Sequence, residues 1–599
     1  IGRVYGLSGG ALAATGFALA LSAILDRQKF HPCREALSSL RQYLRGAKSR
    51  EIRRLNLNPW YGFFNLEPMR AWINSWLRSM KQDECLMLSD LPIPFYICAG
   101  DRDGTLTLFG SPDESLTFEY GFVQVGPPED AGLVQALIAA LSSPISTEPA
   151  RVNGEWYRDV RPAIPDGRAI VADLEAGDPR PIVCQDPYTP MPEWTLNWIT
   201  SSFIMHRHHE RNQSLLSRYY LDLLRRQRSL EERCPSEAQT DFSGGPGVHH
   251  VDLPYVGSTE AFTNLRQSVA EKEHLMARFR ALLHGQFEGF DFSQSANVIY
   301  GAGGFSGILA GLVTTRAVET GFKHEGGRIQ QVYGVSAGVL NGFFHAVQVA
   351  AAKHPSLYTP AATRAIADLE NFMAGVKVNL IARLNLNPGR FWMGWANLSP
   401  LRDFLSQCLQ AYTGLEAVDQ LTFDDIQLPL TVAAAREDGF VDFLGMSEPR
   451  RQMLFADRRV EVLSAPIVTA MLAGWSMNTY IEPTTLGGQR YRDGGGAFYD
   501  IGLFAACLDG ELVNLLNIHL DEPEGHTYGL PARPSLVRLV FDTHNYNFPE
   551  ERRRMRVLTD LLYRHYRCRM YAKNLGVELE PDFRQHWQLH QDKPTLQEI

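Results

Sequence analysis

The chain has 599 residues, 45% of them hydrophobic and 21% charged, a globular composition long enough for two or more domains with separate cores. Its net charge of -9 excludes a general attraction to nucleic acid or to anionic surfaces. Eight cysteines (Cys33, Cys85, Cys98, Cys184, Cys234, Cys408, Cys507 and Cys568) are scattered without a C-x-x-C pair or zinc-like spacing, which points to reduced thiols, no metal, no cofactor and a cytoplasmic setting.

In chain order, the first element is a strand running into Tyr5-Gly6-Leu7-Ser8-Gly9-Gly10. The apolar stretch Ala11 to Leu25 is too short to cross a bilayer as a helix and reads as a buried helix behind the serine turn. Because the chain opens at Ile1, on the strand itself, residues of this first repeat are expected upstream. Three landmarks follow: Arg54-Leu55-Asn56-Leu57-Asn58-Pro59, a hairpin-type Asp103-Gly104, and Tyr157-Arg158-Asp159. A basic helical stretch from His206 to Arg233 and a turn-rich segment from Cys234 to Gly257 close the repeat, and Leu265 to Gln286 reads as a further helix.

Near Asn297 the pattern begins again. An apolar strand, Asn297 to Tyr300, enters Gly301-Ala302-Gly303-Gly304-Phe305-Ser306-Gly307, followed by an apolar helix. A nucleotide site is one reading of this loop, but its glycines are out of phase with G-x-G-x-x-G and no P-loop lysine follows. Amides forming an oxyanion hole for a downstream serine are the other. That serine is in Tyr333-Gly334-Val335-Ser336-Ala337-Gly338, a strand-to-helix turn of the G-x-S-x-G type with the apolar helix Val339 to Ala352 behind it. Arg383-Leu384-Asn385-Leu386-Asn387-Pro388, Asp438-Gly439 and Tyr491-Arg492-Asp493 then recur in the earlier order. The hexapeptide lies 46 or 47 residues after its serine, and the serine-to-aspartate separations are 151 and 157. Four landmarks in register indicate duplication. The expected organisation is a first repeat over 1–245, a linker and helix over 246–290, and a second repeat over 291–599, the helix at Arg211 to Arg228 matching Glu550 to Arg569.

A serine nucleophile needs a base. His519 and His544 lie downstream but in no recognisable setting, whereas Asp493 stands in Asp493-Gly494-Gly495-Gly496, where the glycines let a carboxylate face a neighbour. Other features have plainer readings. His206, His208, His209 and Glu210 resemble a metal cluster but are better read as a solvated helix face. Arg225, Arg226 and Arg228 suit either lipid headgroups or an ordinary charged surface. Trp60, Trp72, Trp76, Trp392 and Trp395 line an acyl pocket, form an interfacial face, or pack in the core.

The glycine loop, the Gly334-Val335-Ser336-Ala337-Gly338 elbow and the Asp493-Gly494-Gly495 box, in that order, resemble the patatin-like phospholipase family. Asn397-Leu398-Ser399-Pro400-Leu401, echoed by Asn65-Leu66-Glu67-Pro68-Met69, also looks like a family segment. The resemblance covers most of Asn297 to about Leu515, and more loosely Ile1 to about Arg168. It implies tandem three-layer α/β/α domains with mostly parallel central sheets, packed as an internal pseudo-dimer. It also implies a Ser336–Asp493 dyad without histidine, an oxyanion hole at Gly303 and Gly304, and lipase or phospholipase A-type hydrolysis of lipid or other acyl esters, with peripheral contact at a membrane. Acyl transfer by the same dyad, or a non-catalytic binding protein, are the alternatives. The chain departs from the family at Ser306, where a basic residue is usual. The first repeat departs further: Val160 and Arg161 follow Asp159, and no glycine loop precedes Ser8. Ser8 and Asp159 are therefore a second candidate pair, in a copy that is either active or kept as a scaffold.

Overall fold

The computed structural model describes residues 3–46, 54–55, 64–159, 248–254 and 268–521, apart from short internal stretches that include 101–105, 387–393 and 438, together with helical positions at 216, 219, 223, 555, 558, 559 and 562. It is a mixed α/β protein whose main described parts fall into two compact units, one holding 3–159 and the other 248–521.

In the first unit, β1 (Val4–Leu7) leads into α1 (Gly10–Leu25) and α2 (Ala36–Gly46), then a two-stranded hairpin of β2 (Arg54–Leu55) and β3 (Phe64–Asn65), and α3 (Glu67–Ser79). Next come β4 (Phe95–Gly100), β5 (Leu106–Phe109), β6 (Phe118–Tyr120), β7 (Val123–Val125) and α4 (Leu133–Leu141), and the hairpin β8 (Ala150–Val152) with β9 (Glu155–Tyr157). The sheet order is β1-β4-β5-β7-β6. Its described pairs are mixed and not mostly parallel as expected: β1–β4 and β5–β7 are parallel, while β4–β5 and β6–β7 are antiparallel. The connection from β4 to β5 spans only 101–105, and so short a link joins antiparallel neighbours.

The second unit has the large, mostly parallel sheet. Its elements are β10 (Val248–Pro254), α5 (Val269–Leu282), β11 (Ala296–Tyr300), α6 (Gly304–Gly321), β12 (Ile329–Val335), α7 (Gly338–Lys353), α8 (Ala365–Gly375), the hairpin β13 (Arg383–Leu384) with β14 (Ala396–Asn397), and α9 (Ser399–Thr413). They continue with β15 (Leu430–Arg436), β16 (Val441–Gly445), β17 (Gln452–Phe455), β18 (Arg458–Leu463), α10 (Ile467–Trp475), β19 (Thr484–Leu486), β20 (Gln489–Asp493), α11 (Gly502–Leu508) and β21 (Asn514–Asp521). Strands run β10-β21-β11-β12-β15-β16-β18-β17, the first five all parallel, with β20 antiparallel to β15. Every residue of β11 is buried, as a continuous apolar strand in a parallel sheet requires. Within the segment 246–290, β10 joins this unit's sheet by pairing with β21. The helix expected from Leu265 begins at Val269, where Ser268 and Glu271 form a capping box.

Both serine turns are followed by the expected helix. In α7 the whole run Gly338 to Val347 is buried, whereas α1 leaves Phe17, Ile24 and Leu25 exposed, so the first helix is only half covered. The hairpins expected at Asp103-Gly104 and Asp438-Gly439 are flanked by antiparallel pairs, although Asp103, Gly104 and Asp438 lie outside the described residues. Trp76 is fully buried and Trp72 packs on the same core; Trp60 and Trp392 lie outside the described residues. The described cysteines (Cys33, Cys85, Cys98, Cys408 and Cys507) are not joined in disulfides. Among the described residues no helix is long and apolar enough to cross a membrane.

Candidate active site

Strand β12 delivers Ser336 to a turn that few residues tolerate. Its φ is 52°, in the left-handed region that costs an L-residue about 1–2 kcal/mol. Two glycines make the turn possible. A Cβ on Gly334 would meet the Val339 Cα at 2.7 Å, and one on Gly338 would meet the Tyr300 carbonyl oxygen at 2.1 Å. The turn is closed by the Val339 amide donating to the Ser336 carbonyl at 3.0 Å.

The Ser336 hydroxyl donates to Asp493 Oδ2 at 2.7 Å. Asp493 ends β20, and its amide donates to the carbonyl of buried Ser476 at 3.0 Å. Its other oxygen, Oδ1, accepts from the Gly495 amide at 2.8 Å. Gly494 is needed here, because a Cβ on it would lie 2.4 Å from the Ala433 carbonyl oxygen, while a Cβ on Gly495 would sit tightly at 3.2 Å from the Ala302 Cβ and 3.3 Å from the Ser336 Cβ. Burial pushes the Asp493 carboxyl up to about 6, against the lowering effect of the Ser336 hydroxyl and the Gly495 amide. Such a carboxylate is a stronger proton acceptor than an exposed one.

The glycine loop closes over the same point. Ala302 lies against Gly495, the Gly301 and Tyr300 backbone lies against Gly338, and Gly307 packs on Ala337. Gly303 and Gly304 have φ of 154° and 57° and start α6, whose first amides are free of intrahelical bonds by geometry and suit an anion. Ser306 is fully buried in that first turn. Tyr300, at the loop's root, is anchored by its hydroxyl, which lies 2.8 Å from His345 Nδ1 and accepts from Thr315 at 2.7 Å. Burial pulls His345 down to about 3, so this imidazole is neutral and serves as an anchor.

The first unit places Ser8 and Asp159 in the same relation. Ser8 has a φ of 47° and donates to Asp159 Oδ2 at 2.6 Å; the Asp159 amide donates to the Ser142 carbonyl at 2.9 Å. Gly6 is required, since its Cβ would meet the Ala11 Cα at 2.8 Å. Gly10 is not: a Cβ there would meet nothing within 4 Å, and Gly9 and Gly10 are exposed. Among the described residues β1 is an edge strand, with no equivalent of β11 and its loop beside it. Val160 and Arg161 lie outside the described residues, as do His206, His208, His209, Glu210, Arg225, Arg226, Arg228 and His544. His519 lies on β21, opposite Asp252.

One role escaped the sequence reading. In each Tyr-Arg-Asp triplet the arginine clamps a neighbouring backbone carbonyl: Arg492 bonds Ile481 at 2.9 Å and Arg158 bonds Thr147 at 2.9 Å. The signal was the recurrence of the whole triplet, of which only the aspartate suggested chemistry. No family model and no curated protein sequence matches the chain.

Two outcomes are expected. Gly338→Ala will destabilise by about 1–3 kcal/mol or more in urea unfolding, as an overpacked core does, while Gly10→Ala will stay within about 1 kcal/mol of wild type. Equal effects would contradict the difference between the two turns. Because the folded Asp493 carboxyl titrates above its ordinary 3.8, the unfolded chain releases this proton first, so stability falls as pH rises from 3.8 to about 6. Asp493→Asn will therefore raise stability by about 1–3 kcal/mol at neutral pH, with the gain vanishing in thermal unfolding near pH 4.

Proposed function

We propose that the chain is a serine acyl hydrolase of the lipase or phospholipase A type, built from two copies of a patatin-like three-layer fold, with the working site in the second. The observation that carries this reading is the bond from a serine at positive φ to a buried carboxylate with a raised pKa, beside a glycine loop at a helix start. In the proposed reaction Asp493 takes the Ser336 proton as Oγ attacks the ester carbonyl. The Gly303 and Gly304 amides receive the oxyanion. Collapse expels the alcohol, which takes the proton from Asp493, and leaves an acyl-serine. Water, deprotonated by the same carboxylate, then releases the acid and restores Ser336. An alcohol acceptor in place of water would make the same dyad an acyltransferase.

The first copy shares the dyad geometry; the glycine loop beside Ser336 is what assigns the working site to the second copy. Hydrolysis of soluble p-nitrophenyl esters tests the assignment: Ser336→Ala and Asp493→Asn should lose roughly a thousandfold or more, and Ser8→Ala should keep most of the activity. The wild-type rate should climb with pH up to about 6 and level above it, since Asp493 must be ionised to accept a proton. A wild type without esterase activity, or one disabled by Ser8→Ala alone, would overturn the reading.

A further inference from the structure

A polar seam runs between the helix behind Ser336 and the helix that begins at the glycine loop. Asn341, His345 and Gln348 lie four and three residues apart on α7, and Gly307, Gly311, Thr315 and Glu319 lie four apart on α6, so each set occupies one helix face. The Asn341 side chain donates to the Gly307 carbonyl at 3.3 Å. Gly311 makes room for it, since a Cβ there would collide with the Asn341 amide nitrogen. Thr315 Oγ1 lies 2.7 Å from both the Gly311 carbonyl and the Tyr300 hydroxyl, and the same hydroxyl meets His345 Nδ1 at 2.8 Å. Gln348 closes the far end by donating to Glu319 at 2.6 Å. We propose that this seam fixes the glycine loop against the Ser336 turn, and that Asn341 and Tyr300 are positioning residues for the oxyanion site.

Both residues act where the loop meets the nucleophile. Gly307 packs on Ala337, next to Ser336, and its amide donates to the Gly303 carbonyl at 2.9 Å, so Asn341 holds the turn that carries the Gly303 and Gly304 amides. Tyr300 enters the loop, and its carbonyl oxygen is the atom that a side chain at position 338 would strike. Core packing alone does not call for polar groups here. Asn341 and His345 are fully buried, and among the described residues Asn341 Oδ1 and His345 Nε2 have no hydrogen-bond partner, a desolvation cost that apolar side chains would not carry. Apolar contacts let helices slide over one another, whereas directed hydrogen bonds select one arrangement. The first unit shows that a helix behind such a serine forms without a polar face. Five, nine and twelve residues after Ser8, as Asn341, His345 and Gln348 follow Ser336, α1 has Ala13, Phe17 and Ala20, and Ala13 and Phe17 are exposed. Oxyanion donors act only within about 0.5 Å of their productive place, which gives the fixed arrangement its use. That use rests on the acyl hydrolase reading; the lock between loop and turn does not.

The test compares the full wild-type chain with Asn341→Leu, which is close in size, and Tyr300→Phe, which removes one hydroxyl. Hydrogen–deuterium exchange read by mass spectrometry should speed up roughly tenfold in peptides covering residues 303–312, while peptides of β15 and β16 keep wild-type rates. Asn341→Leu should keep or raise the melting temperature. On a soluble p-nitrophenyl ester, kcat should fall roughly tenfold or more in each variant with KM within about twofold of wild type. A role in stability alone would instead lower the melting temperature and leave kcat of the folded protein unchanged. Asn341→Ser, with the same expectations for exchange and kcat, serves where leucine disturbs folding. Unchanged exchange over 303–312, or unchanged kcat in folded variants of an active wild type, would overturn the proposal. A wild type without esterase activity overturns the hydrolase reading, and the exchange rates still decide whether the seam locks the loop.

Discussion

The second unit is organised around one short bond, from Ser336 to Asp493, made by a residue in a backbone conformation that disfavours it. Each partner is held by sterics that only glycine satisfies. Gly334 and Gly338 let the β12–α7 turn close, and Gly494 and Gly495 let the aspartate turn press against Ala433 and Ser336. Strain at the serine and desolvation of the carboxylate both raise the energy of the folded state, so the large core around them must over-determine the arrangement. The nearly complete burial of α7 and β11 supplies that rigidity.

The comparison of the two units separates what a dyad needs from what an active site needs. Serine, aspartate, the clamp arginine and the first glycine of the turn occur in both with nearly equal distances. The second glycine is sterically demanded only where the Tyr300–Gly301 backbone lies on it. Gly338 is thus tied to the glycine loop as much as to the nucleophile, and the open space beside Gly10 is the steric signature of a turn without that loop among the described residues.

Much of the site was legible because it is local and glycine-bound. G-x-S-x-G, the loop at Gly301 to Gly304, and Asp493-Gly494-Gly495 each encode a backbone geometry, and collinear repetition located the pairs at separations of 151 and 157 residues. Long-range choices were not legible. Asp103-Gly104 marked the hairpin joining β4 to β5, but nothing marked how β6 and β7 would pair, and an apolar helix such as α1 does not reveal how much of it stays exposed. The arginine of each triplet was visible but mute, since clamping a carbonyl from another segment depends on tertiary proximity.

The central claim is that Ser336, activated by Asp493, is a nucleophile. Treatment of the wild-type chain with a fluorophosphonate, followed by peptide mapping by mass spectrometry, tests it directly. The account predicts one phosphonyl group on the peptide containing Ser336, formed faster above pH 6 than below it and absent in Asp493→Asn. An unlabelled chain, or label confined to Ser8, would contradict it.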